Sequence, residues 1–216
     1  ILLAGRLSDL YGRRRIFLMG LVLFMVASLF VGLAPNAIVL IGSRLVQGIG
    51  AAFVMPSTLS TINALFHGRE RAIAFAVYGS MIGGMAAVGP LLGGWLATDF
   101  SWRYAFWINI PFGLVAVWIG IRHVPETMDP NIRRGIDPMG TILATLGMGL
   151  IVYGLIESTA YGWIQGPNGE YSPVPFALGL GVLALVVFTW LELTRAAAGK
   201  PVLAHLGLFR IPSFRY

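Results

Sequence analysis

Cysteine is absent from these 216 residues, which excludes disulfides, thiolate metal sites and thiol chemistry. Charge is scarce too: Asp, Glu, Lys and Arg make up 11% of the chain, and acids number 9 against 15 basic residues. The three histidines, His67, His123 and His205, lie too far apart in sequence to argue a metal site. H-E-x-x-H, G-x-S-x-G and G-x-x-x-x-G-K-[ST] are all missing, and no apolar run carries a pair of acids. Hydrolytic, nucleotide-binding and intramembrane aspartyl chemistry therefore have no residues to run on, and neither an enzyme nor a cofactor is expected. No initiator Met or signal-peptide n-region precedes Ile1, and Tyr216 follows a basic amphipathic stretch. The expectation is a piece of a longer protein, with "ILLAG" (1–5) ending a preceding span.

What the chain does have is apolar surface. It is 57% hydrophobic with a mean hydropathy of +0.80, against roughly 45–50% apolar for soluble domains. Six runs can each cross a hydrocarbon core about 30 Å thick, which takes roughly 17–25 helical residues. They are 16–33, 37–59, 72–98, 104–121, 139–156 and 174–191. Each is apolar all round and not along one stripe, as buried or lipid-facing helices are. Without ten-residue alternating segments a barrel is excluded, and backbone satisfaction in lipid leaves helices. The expected fold class is all-α and polytopic.

The basic residues fall between these runs. Loops 5–15, 67–71, 122–137 and 194–216 hold thirteen of the fifteen, whereas loops 34–36, 99–103 and 157–173 hold only Arg103. By the positive-inside rule the first set is cytoplasmic. The sequence pI near 10.2 is thus a topology signal, and no nucleic-acid partner is expected. Trp95, Trp102, Trp107, Tyr161, Trp163 and Tyr171 cluster at the other ends of the runs, as an aromatic belt would.

The fifteenth basic residue, Arg44, stands inside a run, in "LIGSRLVQGIGAA" (40–52). A charge at mid-helix costs about 2.5–3.5 kcal/mol on insertion scales, so such a residue normally faces a polar cavity or an acid. Gln47, three residues on, shares its helical face. No acid in the six runs is placed to neutralise Arg44, so a carboxylate partner is expected outside this chain. Gly79 and Gly83, and likewise Gly89 and Gly93, are four apart, the spacing that lets helix backbones approach. Pro90 removes a backbone donor beside them, and Pro56 and Pro111 are expected to add two further kinks.

With these residues assembled, the chain resembles the major facilitator superfamily, in particular its fourteen-span drug:proton antiporters. "GRLSDLYGRRR" (5–15) is similar to the family's cytoplasmic turn G-x-L-[AS]-D-[RK]-x-G-[RK]-[RK], matched by Gly5, Leu7, Ser8, Asp9, Gly12, Arg13 and Arg14, with Leu10 where a basic residue is usual. Arg44, Gln47, Gly48 and Gly50 match the fourth-span pattern. "GPLLGG" (Gly89, Pro90, Gly93, Gly94) resembles the fifth-span antiporter motif, with Met85 where the upstream glycine usually stands. "SWRYAFWINIPFG" (101–113) looks like the start of the sixth span in this branch.

The resemblance implies that residues 1–123 belong to the N-terminal bundle, 124–138 form a cytoplasmic connector, 139–193 an additional helix pair, and 194–216 a cytoplasmic lead toward a C-terminal bundle. It implies proton coupling through Arg44 and Gln47, and a cytoplasmic gate at Gly5, Asp9, Gly12, Arg13 and Arg14. There Asp9 and Arg13 would latch the two halves together, Asp9 meeting a helix terminus or basic residue of the half outside this chain, and Gly12 would take a positive φ. It further implies export of amphiphilic small molecules in exchange for protons, by alternating access, across a bacterial cytoplasmic membrane. Three rivals stand beside this. An uptake symporter is opposed by "GPLLGG"; a membrane enzyme lacks catalytic pairs; a non-transporting receptor leaves Arg44 without a purpose.

Overall fold

Helix ends in this chain are set by glycine, proline and short polar caps. The computed structural model describes residues 2–128, 137–165, 170–198 and 202–203, and among them it has eight helices. The first, α1 (Leu2–Tyr11), gives way to α2 (Arg13–Leu33) at Gly12, whose φ of 109° only glycine adopts without strain. Asn36 starts α3 (Ala37–Leu65) by accepting a 3.0 Å hydrogen bond from the Val39 N–H. Gly68, at φ 54°, opens α4 (Gly68–Asp99). Asp137 caps α7 (Pro138–Tyr161) through the Gly140 N–H at 2.9 Å, and Pro173 precedes α8 (Val174–Ala197).

Six helical stretches are long and apolar enough to cross a membrane: α2, α3, α4, Tyr104–His123, α7 and α8. They coincide with the six predicted runs and extend them, because hydrogen bonding continues into polar ends that hydropathy discounts. The fourth stretch is broken into α5 (Tyr104–Trp107) and α6 (Asn109–His123). Pro111 accounts for the break: its ring clashes with the carbonyl four residues back, that of Trp107, where α5 stops. The expected kink at Pro111 is thus an interruption at Ile108, and the proline itself sits in the first turn of α6. Pro56 and Pro90 lie inside α3 and α4. Ser57, Thr58 and Thr61 donate to carbonyls four residues back (2.6–2.9 Å), which bends a helix further.

The described residues fall into two compact units, one holding α2 to α6 and the other α7 and α8. In the first, α2 is the centre, with Ile16, Gly20, Met25, Ala27, Ser28, Val31 and Gly32 buried. It runs antiparallel to α3 at a glycine crossing. A Cβ on Gly20 would lie 2.6 Å from Phe53 Cβ, and one on Gly50 would lie 2.7 Å from the Phe24 nitrogen. Gly113 and Gly120 of α6 face Met25 and Leu18 of α2, so α6 is also antiparallel to it. No residue of α4 is buried among the described residues.

The second unit is an antiparallel hairpin of α7 and α8. Gly140, Gly147 and Gly154, seven apart, lie against Glu192, Leu185 and Leu178 in turn, so a glycine stripe on α7 receives α8 side chains. Ser172 closes the connection: its hydroxyl donates to the Gly162 carbonyl at 2.7 Å and accepts from the Val174 N–H at 3.2 Å.

Candidate functional site

Arg44 occupies the eighth position of α3, roughly 10 Å from the helix start at 1.5 Å per residue. Its Nη1 donates to Gln47 Oε1 at 2.8 Å, and its guanidinium carbon lies 5.2 Å from the centroid of the Phe106 ring on α5. Gln47, 5% exposed, passes the connection on: its Nε2 donates to Ser28 Oγ on α2 at 2.6 Å. The Ser28 hydroxyl then donates to the Phe24 carbonyl at 2.8 Å. Each link of this relay thus passes from one donor to one acceptor, ending on backbone. Among the described residues no carboxylate pairs with Arg44; the ion pairs are Arg13–Asp9, Arg15–Glu126 and Arg195–Asp137. An exposed guanidinium held on one edge, with no carboxylate paired to it among the described residues, can attract an anion or lower the pKa of an approaching acid.

The sequence brings Arg44 and Gln47 together, and the structure does the same. Sequence reasoning missed Ser28, although it is the only polar side chain in the run 16–33. Phe106 was missed as well, since an aromatic in an apolar span carries no signal of its own.

The basic turn is built around Gly12. Arg13 Nε donates to Asp9 Oδ1 at 2.7 Å, so in this chain the two residues pair with each other across Gly12. Ser8, fully buried, donates its hydroxyl to the Gly5 carbonyl at 2.8 Å. Gly5 packs near Pro56, where a Cβ would sit 3.4 Å from the ring carbon. The turn is fastened from a distance by the segment after α6. Glu126 Oε1 accepts from the Arg14 N–H at 3.0 Å, and the Val124 carbonyl accepts from Arg14 Nη1 at 3.2 Å. Glu126 Oε2 lies 3.6 Å from Arg15 Nε, and the Thr127 carbonyl accepts from the Arg13 N–H at 3.0 Å. A carboxylate from another element thus occupies the positive end of α2, which carries no acid of its own in its first turn. A Cβ at Gly12 would stand 2.7 Å from Glu126 Oε1, so a side chain there would displace this carboxylate, and the φ of 109° would strain it besides. Glu126 was legible only as a loop acid.

Gly89, Gly93 and Gly94 have nothing within 4 Å of where a Cβ would be, and neither do Gly79 and Gly83. The close packing expected at "GPLLGG", Pro90 included, is therefore not made among the described residues. The aromatic belt needs one correction. Trp95, Trp102, Tyr161, Trp163 and Tyr171 are exposed, but Trp107 packs over Gly32 with its indole nitrogen buried. Arg103 donates to the Ala34 carbonyl at 3.3 Å, capping the end of α2 beside it.

At the α7–α8 hairpin, Asp137 is 3% exposed and paired with Arg195. Burial pushes the Asp137 carboxyl up, but the hydrogen bonds from Arg195 and from the Gly140 N–H, with the arginine's charge, more than offset it and hold the pKa below the usual value. Glu192, 1% exposed, lies beside it and accepts from the Leu203 N–H at 3.2 Å.

Six membrane-crossing helices, an arginine inside one of them and an acid–arginine pair in a basic turn define a multi-pass helical membrane protein. Its family can be stated outright. The family model described as Major Facilitator Superfamily matches residues 1–211, and the chain belongs to that transporter family. It is 41% identical over 193 residues to the puromycin resistance protein pur8 of Streptomyces alboniger, covering 89% of this chain and 37% of that protein. It is 33% identical over 215 residues to the multidrug resistance protein Stp of Mycobacterium tuberculosis (99% and 38%). Identity to the multidrug transporter protein MdtP of Bacillus subtilis is 32% over 214 residues (99% and 38%). The chain therefore spans a little over a third of the length of these relatives.

Proposed function

We propose that the protein to which this chain belongs exports amphiphilic, drug-like small molecules in exchange for protons, by alternating access across a bacterial cytoplasmic membrane. The observation that carries the proposal is the Arg44–Gln47–Ser28 chain: a membrane-embedded cation held on a polar bracket, with no carboxylate paired to it among the described residues. Such a cation favours the ionised form of an acid brought near it, whereas desolvation favours the protonated form. A rocking motion that changes access to the site would alternate the two conditions and so load and release a proton once per cycle. The acid is proposed to come from a span outside these 216 residues. Relatives that carry the names puromycin resistance, multidrug resistance and multidrug transporter support the drug-like substrate class.

Residues 1–123 are proposed to belong to the N-terminal bundle of a fourteen-span transporter, and 139–193 to be the helix pair that distinguishes this branch. The connector proposed at 124–138 includes 129–136, and the lead proposed at 194–216 includes 199–201 and 204–216; these stretches lie outside the described residues. In this reading Gly5, Asp9, Gly12, Arg13 and Arg14 form a cytoplasmic gate, and Gly89, Pro90, Gly93 and Gly94 a helix interface that moves.

Everted membrane vesicles carrying the full-length protein test the function. Energised vesicles should accumulate a lipophilic cationic dye, and a protonophore should abolish the accumulation. Dye movement in the opposite direction, with proton flow, would favour the uptake symporter; no proton-dependent movement for any substrate tried would reject the proposal.

A further inference from the structure

We propose that Ser28 is the positioning residue of the Arg44 site, acting as a polarity lock that decides which end of the Gln47 amide faces the arginine. The inference rests on the proposed coupling role of Arg44 but concerns a different helix and a residue outside the fourth-span pattern.

A buried amide can sit in two orientations related by a half-turn, with oxygen and nitrogen exchanged. Only one presents an oxygen to Arg44; the other turns an NH₂ group toward a guanidinium, donor against donor. The arginine disfavours the second orientation, and a further constraint lies at the far end of the amide. Ser28 is fully buried, and its hydroxyl hydrogen is committed to the Phe24 carbonyl at 2.8 Å. Its oxygen can therefore only accept along the direction of Gln47, and it does so from Nε2 at 2.6 Å. With the NH₂ end held there, Oε1 must face Arg44, at 2.8 Å. A helix carbonyl on α2 thus orients a hydroxyl, the hydroxyl orients an amide on α3, and the amide fixes one edge of the guanidinium.

The register of the two helices supports this chain of contacts. Gly20 and Gly50 cross with no room for a Cβ on either, so α2 cannot slide along α3 and carry Ser28 away from Gln47. The other face of Arg44 meets the Phe106 ring, which attracts charge but sets no hydrogen-bond direction. Arg44 is the only ionisable residue of α3; α2 carries Arg13, Arg14 and Arg15 at its distant first turn, and α5 carries Tyr104. Direction is therefore set at both ends of the amide, by Arg44 on one side and by Ser28 on the other. Ser28 is the only one of the two held by a second hydrogen bond to backbone. Losing Ser28 leaves the amide held at one end only, so that it can swing away and the arginine is held only part of the time.

The test is a double-mutant cycle in the full-length transporter, read both as proton-driven efflux per inserted molecule and as the thermal unfolding midpoint in detergent. Ser28→Ala should lower efflux roughly three- to tenfold and displace its pH profile. Ser28→Thr, whose hydroxyl can make the same backbone bond, should restore both. In a Gln47→Met background, Ser28→Ala should have little further effect on either readout, because the amide through which serine acts is gone. If Ser28→Ala costs as much in that background as in the wild type, serine acts independently of Gln47 and the lock is refuted. A Ser28→Ala variant with the wild-type pH profile and midpoint would refute it too. Should wild-type efflux prove indifferent to a protonophore, the antiport reading fails, while the midpoint cycle still decides the role of Ser28.

Discussion

Asp9 and Arg13 sit four residues apart on either side of Gly12, with side chains 22% and 14% exposed. A pair of this kind contributes about 0.3–1 kcal/mol, too little to decide whether the protein folds. Asp9→Asn should therefore leave membrane insertion intact, because Arg13, Arg14 and Arg15 still set the topology, and impair transport severalfold if the latch is part of the cycle. Efflux normalised to inserted protein measures it, and normal efflux would remove Asp9 from the mechanism. Asp137 makes the opposite case, since it is almost wholly buried. Its folded pKa lies below the unfolded value, so the stability it contributes is present above about pH 4 and lost as pH falls through the folded pKa. Arg195→Gln should lower the thermal midpoint at neutral pH by stranding that carboxylate. The deficit should shrink in acid, where a protonated Asp137 needs no cation. Thermal midpoints of both proteins between about pH 3 and about pH 8 check the sign.

Among elements, helix contacts in this chain are made by glycines, and their positions separate two kinds of interface. Gly20 and Gly50 are already enclosed, and Gly20→Leu or Gly50→Leu should reduce folded protein in the membrane, since backbone atoms less than 3 Å from the new Cβ cannot give way. Gly89 and Gly93 face open space in this chain, so Gly89→Leu or Gly93→Leu should insert normally yet stop transport by wedging α4 from the helix it meets in the full-length transporter. Wild-type turnover in the leucine variants would mean that this face looks at lipid. The six spans were legible in the sequence because hydropathy and length decide them. The contacts between them were not: the small-residue pairs Gly79/Gly83 and Gly89/Gly93 stand out in the sequence yet meet nothing among the described residues. The stripe Gly140, Gly147, Gly154 is periodic too, but nothing in it names Leu185 and Leu178 as partners. Glu126 meets Gly12 and Arg14 across more than a hundred residues of chain, a pairing that no local pattern encodes. Arg44 and Gln47 could be read together because a single helix turn joins them, whereas Ser28 belongs to another helix.

For the whole molecule, sidedness follows from the distribution of basic residues, and the cysteine-free background makes it measurable. Single cysteines at Tyr11, His67 and Ala198, all exposed in the structure, should resist impermeant thiol reagents in intact cells, while one at Gln165 should react. Ser8 would be a poor probe, because it is fully buried. Labelling of two of the three basic-side positions from outside would overturn the orientation.

The central claim, that Arg44 couples substrate movement to a proton, is tested most directly by efflux per inserted transporter in full-length wild type, Arg44→Lys and Arg44→Ala, over ~pH 5.5 to ~8.5. Lysine keeps the charge and loses the guanidinium fork that meets Gln47, so partial activity with a displaced pH profile is expected. Alanine removes the cation that favours the ionised acid, so coupling to the proton gradient should vanish at every pH while the protein still inserts. An Arg44→Ala transporter that still drives efflux with the proton gradient, on the wild-type pH profile, would contradict the account.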